Sequence, residues 1–119
     1  MKKTIILIDD DKNLLIFLEQ TIQSWLSGLT ILKAENGQEG VILIKNKGGV
    51  DLVLLDNEMP VMNGLATLQI IKQLYPTTKV IMFTAIPQIK ETAIALGAKV
   101  VIEKTDIESL KRVLIQELS

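Results

Sequence analysis

Val53-Leu54-Leu55-Asp56-Asn57-Glu58-Met59-Pro60 is an apolar run that climbs to one aspartate and stops in a turn. A run this apolar, with no polar residue alternating through it, suits a strand buried on both faces. The carboxylate of Asp56 then stands at the carboxyl end of that strand, where open α/β sheets gather their chemistry.

Outward from this stretch, apolar segments alternate with amphipathic ones. Thr4 to Ile8, Leu29 to Ala34, Asp51 to Leu55, Lys79 to Phe83 and Val100 to Ile102 read as strands. Between the first two, Asp11 is placed to cap a helix whose stripe is Leu14, Leu15, Leu18, Ile22 and Leu26, closed by Gly28. Asn36-Gly37 reads as a turn, followed by a helix with Val41, Ile42 and Ile44 inward that Gly48-Gly49 ends. A loop through Pro60 and Gly64 leads to a helix carrying Leu65, Leu68, Ile71 and Leu74, stopped before Pro76. Pro87 suits the first turn of a short helix ending at Gly97. Thr105-Asp106-Ile107-Glu108 reads as a capping box opening a last helix with Leu110, Val113, Leu114 and Leu118 inward. Strict alternation with short loops predicts an α/β fold, a doubly wound five-stranded parallel sheet with five helices.

Composition narrows the chemistry. The chain has 119 residues, and residues 1–119 read as one domain with no output domain attached. Hydrophobic residues make up 48% and aromatics only 3%, so the core has to be built from Ile, Leu and Val. With no cysteine and no histidine, thiolate sites, histidine-ligated metals and histidine-based triads are excluded. Any catalysis must run on carboxylates, hydroxyls and amines. A net charge of −1 gives no electrostatic case for nucleic acid binding. Lys2-Lys3 before Ile5 to Ile8 mimics a signal peptide, but the run is too short and ends in three aspartates. No stretch approaches membrane-spanning length. The expectation is a cytoplasmic protein that binds no membrane.

In such a sheet the ends of the first, third, fourth and fifth strands meet at one crevice, bringing together Asp9 and Asp10, Asp56, Thr84, and Lys104. Singly, each has a simple structural explanation as a turn, cap or surface residue; their joint placement is what points to a site. Three converging carboxylates repel, so they raise one another's pKa or require a cation. All-oxygen ligation suits Mg²⁺, Mn²⁺ or Ca²⁺, and Mg²⁺ best, because it keeps several waters and takes few carboxylates together with phosphate oxygens. Beside a cation, ionised Asp56 can act as a nucleophile and form an aspartyl phosphate, with Lys104 and the Thr84 hydroxyl meeting the phosphoryl oxygens. Small Ala85 leaves room for that group.

With those residues in place, the chain resembles the receiver domain of two-component response regulators, the CheY-like family. The resemblance rests on Ile8-Asp9-Asp10-Asp11, on Leu55-Asp56-Asn57-Glu58-Met59-Pro60-Val61-Met62-Asn63-Gly64, on Phe83-Thr84-Ala85, on Gly97-Ala98 and on Lys104. It implies strand order 2-1-3-4-5, Asp56 as phosphoacceptor, and Thr84 and Lys104 on the phosphoryl oxygens. It also implies Mg²⁺ (or Mn²⁺) on Asp9, Asp10, Asp56 and the backbone carbonyl of Glu58. The implied donor is the phosphohistidine of a sensor histidine kinase or histidine phosphotransfer protein, docking near Leu14 and the loop after Lys104, and the chain is expected as a monomer or weak dimer. Three features depart from the family pattern: Thr105 stands where proline is usual, Val101 where an aromatic is usual, and the span from Thr84 to Gly97 is short. Competing readings are an interaction-only pseudo-receiver, a flavodoxin-like cofactor binder and an aspartate phosphatase. The last two lack their loop signatures: three aspartates replace a phosphate-cradling loop, and Asp56-Asn57-Glu58 followed by Met59-Pro60 fits a D-x-D-x-T pattern poorly.

Overall fold

The computed structural model of the protein describes residues 2–119. The five apolar runs form strands β1 (Thr4–Ile8), β2 (Thr30–Ala34), β3 (Leu52–Leu55), β4 (Lys79–Thr84) and β5 (Val100–Glu103). All pair in parallel, in the expected order β2-β1-β3-β4-β5. The most apolar run, β3, takes the central place and is buried throughout. Helices α1 (Lys12–Trp25), α2 (Gly37–Lys47), α3 (Gly64–Leu74), α4 (Lys90–Ala95) and α5 (Ile107–Leu118) connect and follow the strands.

Successive strand residues point to opposite faces, so the sheet builds two cores. Ile5, Leu7, Leu54 and Phe83 face α1 and α5, meeting Leu18, Ile22, Leu110 and Leu114. Ile6, Ile8, Leu55 and Met82 face α2, α3 and α4, meeting Ile44, Leu68, Ile71 and Ala93. Burying each such side chain is worth about 1.5–3 kcal/mol, which makes these two layers the main stabilising term.

The register aligns the site. Ile8 pairs with Leu55 and Leu55 with Met82, while Thr84 pairs with Glu103. Asp9 and Asp56 are therefore next in line on neighbouring strands, and Lys104 follows the residue level with Thr84.

Several local expectations are corrected. Helix α1 ends at Trp25; Leu26 turns extended (φ −138°, ψ 118°) and Gly28 lies in the following turn. Asn36 is a helix cap, not a turn residue: its side chain accepts from Glu39 N and Gly37 is already helical. Gly37 is needed there for space, since a Cβ would collide with Thr67 Oγ1 and lie 3.0 Å from Met62 O. Ile42 and Leu74 were expected inward but are 50% and 46% exposed. In α2 the buried face is Gly37, Gly40, Val41 and Ile44, and Ile42 falls one residue outside it. Leu74 ends α3, and Tyr75 takes up the packing instead. Between Thr84 and Gly97 a 3-10 turn (Pro87–Ile89) precedes a six-residue α4. Ile89, Leu96 and Val101 pack with buried Ala93 on the core, so this stripe is interior packing.

Helix α5 is capped by Asp106, whose Oδ1 accepts from Ser109 N at 3.1 Å, and not by Thr105. The capping box expected at Thr105 is displaced by one residue: the side chain that reaches the helix start is that of Asp106. Asp106→Ala should lower the melting temperature by a few degrees, while Thr105→Ala should leave it unchanged. The reverse ranking in thermal melts would return the cap to Thr105.

Candidate functional site

Strand β1 runs out at Ile8, and the chain turns outward through Asp9, Asp10 and Asp11. Asp9 is buried; its Oδ1 accepts from Asp11 N at 2.9 Å, which fixes the turn and leaves Oδ2 facing the crevice. Asp10 is exposed. Asp56, 3% exposed, follows β3, with its N–H donating to Ile8 O at 3.0 Å. Carboxylate oxygens of Asp9, Asp10 and Asp56 all lie within 4.8 Å of one another. Lys104 reaches in from the end of β5, held by its own N–H on Thr84 O at 3.0 Å. Its Nζ lies 2.8 Å from Asp9 Oδ2 and 3.3 Å from Asp56 Oδ1.

One ammonium against three carboxylates leaves the crevice negative. Burial, then the Asp9 charge, push the Asp56 carboxyl up to about 6, against the opposing pull of Lys104 and the Glu58 N–H. Burial alone would lower the Lys104 ammonium; the hydrogen bond and charge of Asp9, joined by Asp56, outweigh it, and its pKa is raised. The lysine therefore stays charged, and Asp56 is largely ionised at neutral pH.

Thr84 is fully buried, and its Oγ1 accepts from Ile86 N at 3.1 Å. A hydroxyl that accepts in this way keeps its own hydrogen to donate. Ala85, beside it, is exposed and carries no bulk into the crevice. The Glu58 side chain is exposed, so what this residue can offer inward is its peptide. All the side chains singled out from the sequence thus meet at one end of the sheet.

The loop from Asp56 to α3 is closed more tightly than its sequence suggests. Gly64 N donates to Asn57 O at 2.8 Å and Leu65 N to Asn57 Oδ1 at 3.1 Å. At its tip Met62 N donates to Pro60 O at 2.7 Å across Val61, which holds φ 69° and is 75% exposed. A positive φ is uncommon for a β-branched residue. The sequence reading does not single out Asn57, because its side-chain bond spans eight residues and has no local motif.

Residues 5–115 match the family described as "Response regulator receiver domain". The transcriptional regulatory protein CpxR of Klebsiella pneumoniae is 38% identical over 81 residues, 68% of this chain and 33% of CpxR. The autoinducer 1 sensor kinase/phosphatase LuxN of Vibrio campbellii is 42% identical over 76 residues, 64% of this chain and 9% of LuxN. The matched part is thus a third or less of either relative. Among solved structures, response regulator protein TrrA of Thermotoga maritima, in complex with Mg²⁺-BeF, is 30% identical with a TM-score of 0.85, covering 98% of this chain and 99% of TrrA.

Proposed function

The chain belongs to the response regulator receiver domain family of two-component systems, and on that premise we propose that Asp56 accepts a phosphoryl group in a Mg²⁺-dependent reaction. The observation that carries this reading is the buried Asp56 carboxylate, 3.3 Å from the Lys104 ammonium and within 4.8 Å of the Asp9 and Asp10 carboxylates. The donor set is all oxygen and short of positive charge, which fits Mg²⁺ or Mn²⁺ held by Asp9, Asp10, Asp56 and the Glu58 carbonyl. When bound, the cation supplies charge that offsets the carboxylates and the phosphoryl oxygens. That TrrA is a Mg²⁺-BeF complex supports the same choice.

The chain's own groups divide the remaining work. An Asp56 carboxylate oxygen attacks phosphorus; the O–P bond forms as the P–N bond of a phosphohistidine breaks, and the electron pair leaves on the imidazole nitrogen. Lys104 gives up part of its hold on Asp56 to meet a phosphoryl oxygen. Thr84 donates its hydroxyl hydrogen to another while Oγ1 stays on the Ile86 N–H. The phosphohistidine belongs to a sensor histidine kinase or histidine phosphotransfer protein, seated near half-buried Leu14 and the exposed Thr105-Asp106 turn.

The test is intact mass after incubation with Mg²⁺ and acetyl phosphate. The expected result is one base-labile phosphoryl group on the wild type, lost on chelation and absent from Asp56→Asn. No adduct from acetyl phosphate or from a sensor kinase, on folded protein that binds Mg²⁺, would leave an interaction-only domain.

A further inference from the structure

Asn57 stands between the phosphoacceptor and α3 and is tied to both. Its backbone oxygen and its Oδ1 take the N–H groups of Gly64 and Leu65, the first two of α3, at 2.8 and 3.1 Å. Helix α3 already has its own cap, Asn63, whose Oδ1 takes Ala66 N at 2.9 Å. Helices α1, α2 and α5 each begin with one such cap side chain. The Asn57 bonds come in addition to the single cap side chain with which those helices begin, and they take the two N–H groups of α3 that the Asn63 side chain leaves open.

What they add is on the other side. Asn57 directly follows Asp56 and precedes Glu58, whose N–H acts on the Asp56 carboxylate. Residue 57 is thus tied twice to a helix that is packed on the core through Leu68 and Ile71, and the peptide from 57 to 58 is anchored to α3 through its oxygen. We propose that Asn57 is a positioning residue of this site: by pinning the backbone after Asp56 to the start of α3, it sets the affinity for the divalent cation. This rests on the phosphoacceptor reading above and goes beyond it by assigning a role to a side chain that touches neither cation nor phosphoryl group. Partners that orient metal ligands from behind typically hold 10–100-fold in affinity.

The experiment is calorimetric titration of the full chain with Mg²⁺ alone. Asn57→Leu, close in size but without the acceptor, should raise the dissociation constant on the order of tenfold. Asn57→Asp keeps an acceptor at the same place and should keep affinity at or above wild type, with Leu65 N–H still protected from hydrogen exchange. Asn63→Ala is the control: it loosens the same helix end without touching Asn57, and should leave affinity within about threefold. Should Asn57→Leu fail to fold, Asn57→Ser, whose hydroxyl falls short of Leu65 N, replaces it. An Asn57 variant lacking the acceptor that binds as tightly as wild type overturns the inference, as does an equal loss in Asn63→Ala. Wild type that binds no Mg²⁺ at all overturns the reading of the site itself, a distinct result.

Discussion

In Mg²⁺-free buffer at neutral pH or above, Asp56→Asn should melt higher than the wild type, by about 4–12 °C. The wild-type carboxyl has its folded pKa raised to about 6 from an ordinary 3.8. A carboxyl raised in this way costs stability at pH values above its folded pKa, where it is ionised in a buried, negative crevice. The cost disappears as pH falls through 6 toward the ordinary value, where both states carry the proton. The full shift corresponds to about 3 kcal/mol, and about 1–3 kcal/mol is the reasonable range for a group still paired with Lys104. At this chain length each kcal/mol moves the midpoint by about 4 °C. Asparagine removes the charge and keeps the shape, and Lys104 retains Asp9 at 2.8 Å. The gap between the two proteins should therefore narrow from pH 7.5 to pH 4.5. Millimolar Mg²⁺ should shrink or reverse it, because a cation that binds the folded wild type stabilises it by mass action. Equal or lower melting of Asp56→Asn at pH 7.5, with no pH dependence in the difference, would mean that the carboxylate cluster is not under strain.

Strand identity was most readable in β1, β3 and β4, whose apolar runs are buried on both faces; β2 carries exposed Lys33 and β5 ends in exposed Glu103, and the strand order followed from the family resemblance. The side-chain members of the site were readable for the same reason: in a parallel sheet, the residue after each run falls at one edge. Helix faces were less readable. Ile42 and Leu74 are as apolar as their buried neighbours, and what exposes them is where the helix ends or rotates over the sheet, which the sequence states only through its partners. Asp106 displaced Thr105 as cap, and since both residue types are good caps the sequence alone could not choose between them. Asn57 was invisible because its bond to Leu65 N crosses a loop. Val101, which stands where the family pattern has an aromatic, packs partly buried on the α4 side of the sheet, and the Thr84 hydroxyl accepts from the Ile86 N–H. In this chain the threonine is oriented by its own turn.

Gly64→Ala should be the most damaging single-methyl change in the chain, costing on the order of 3 kcal/mol or more, with a midpoint about 12 °C lower. A Cβ at Gly64 would collide with Asp56 O and lie 2.6 Å from Asn57 Cα and 2.9 Å from Asp56 C. All three are backbone atoms of the strand end that carries Asp56, so no side chain can rotate away to make room. Either α3 backs off, breaking Gly64 N to Asn57 O, or the Asp56 backbone moves; both displace the carboxylate. Gly28→Ala makes the contrast. Gly28 has φ 78° and nothing within 4 Å of the added Cβ, so its cost is conformational only, about 1 kcal/mol. Urea melts of the two variants should thus separate crowding from dihedral strain, with Gly64→Ala the larger loss. The same variant, where it folds, should take up phosphate from acetyl phosphate far more slowly than Gly28→Ala. If Gly64→Ala matched the wild type in both measurements, the close approach of α3 to Asp56 would not be what holds the site in shape.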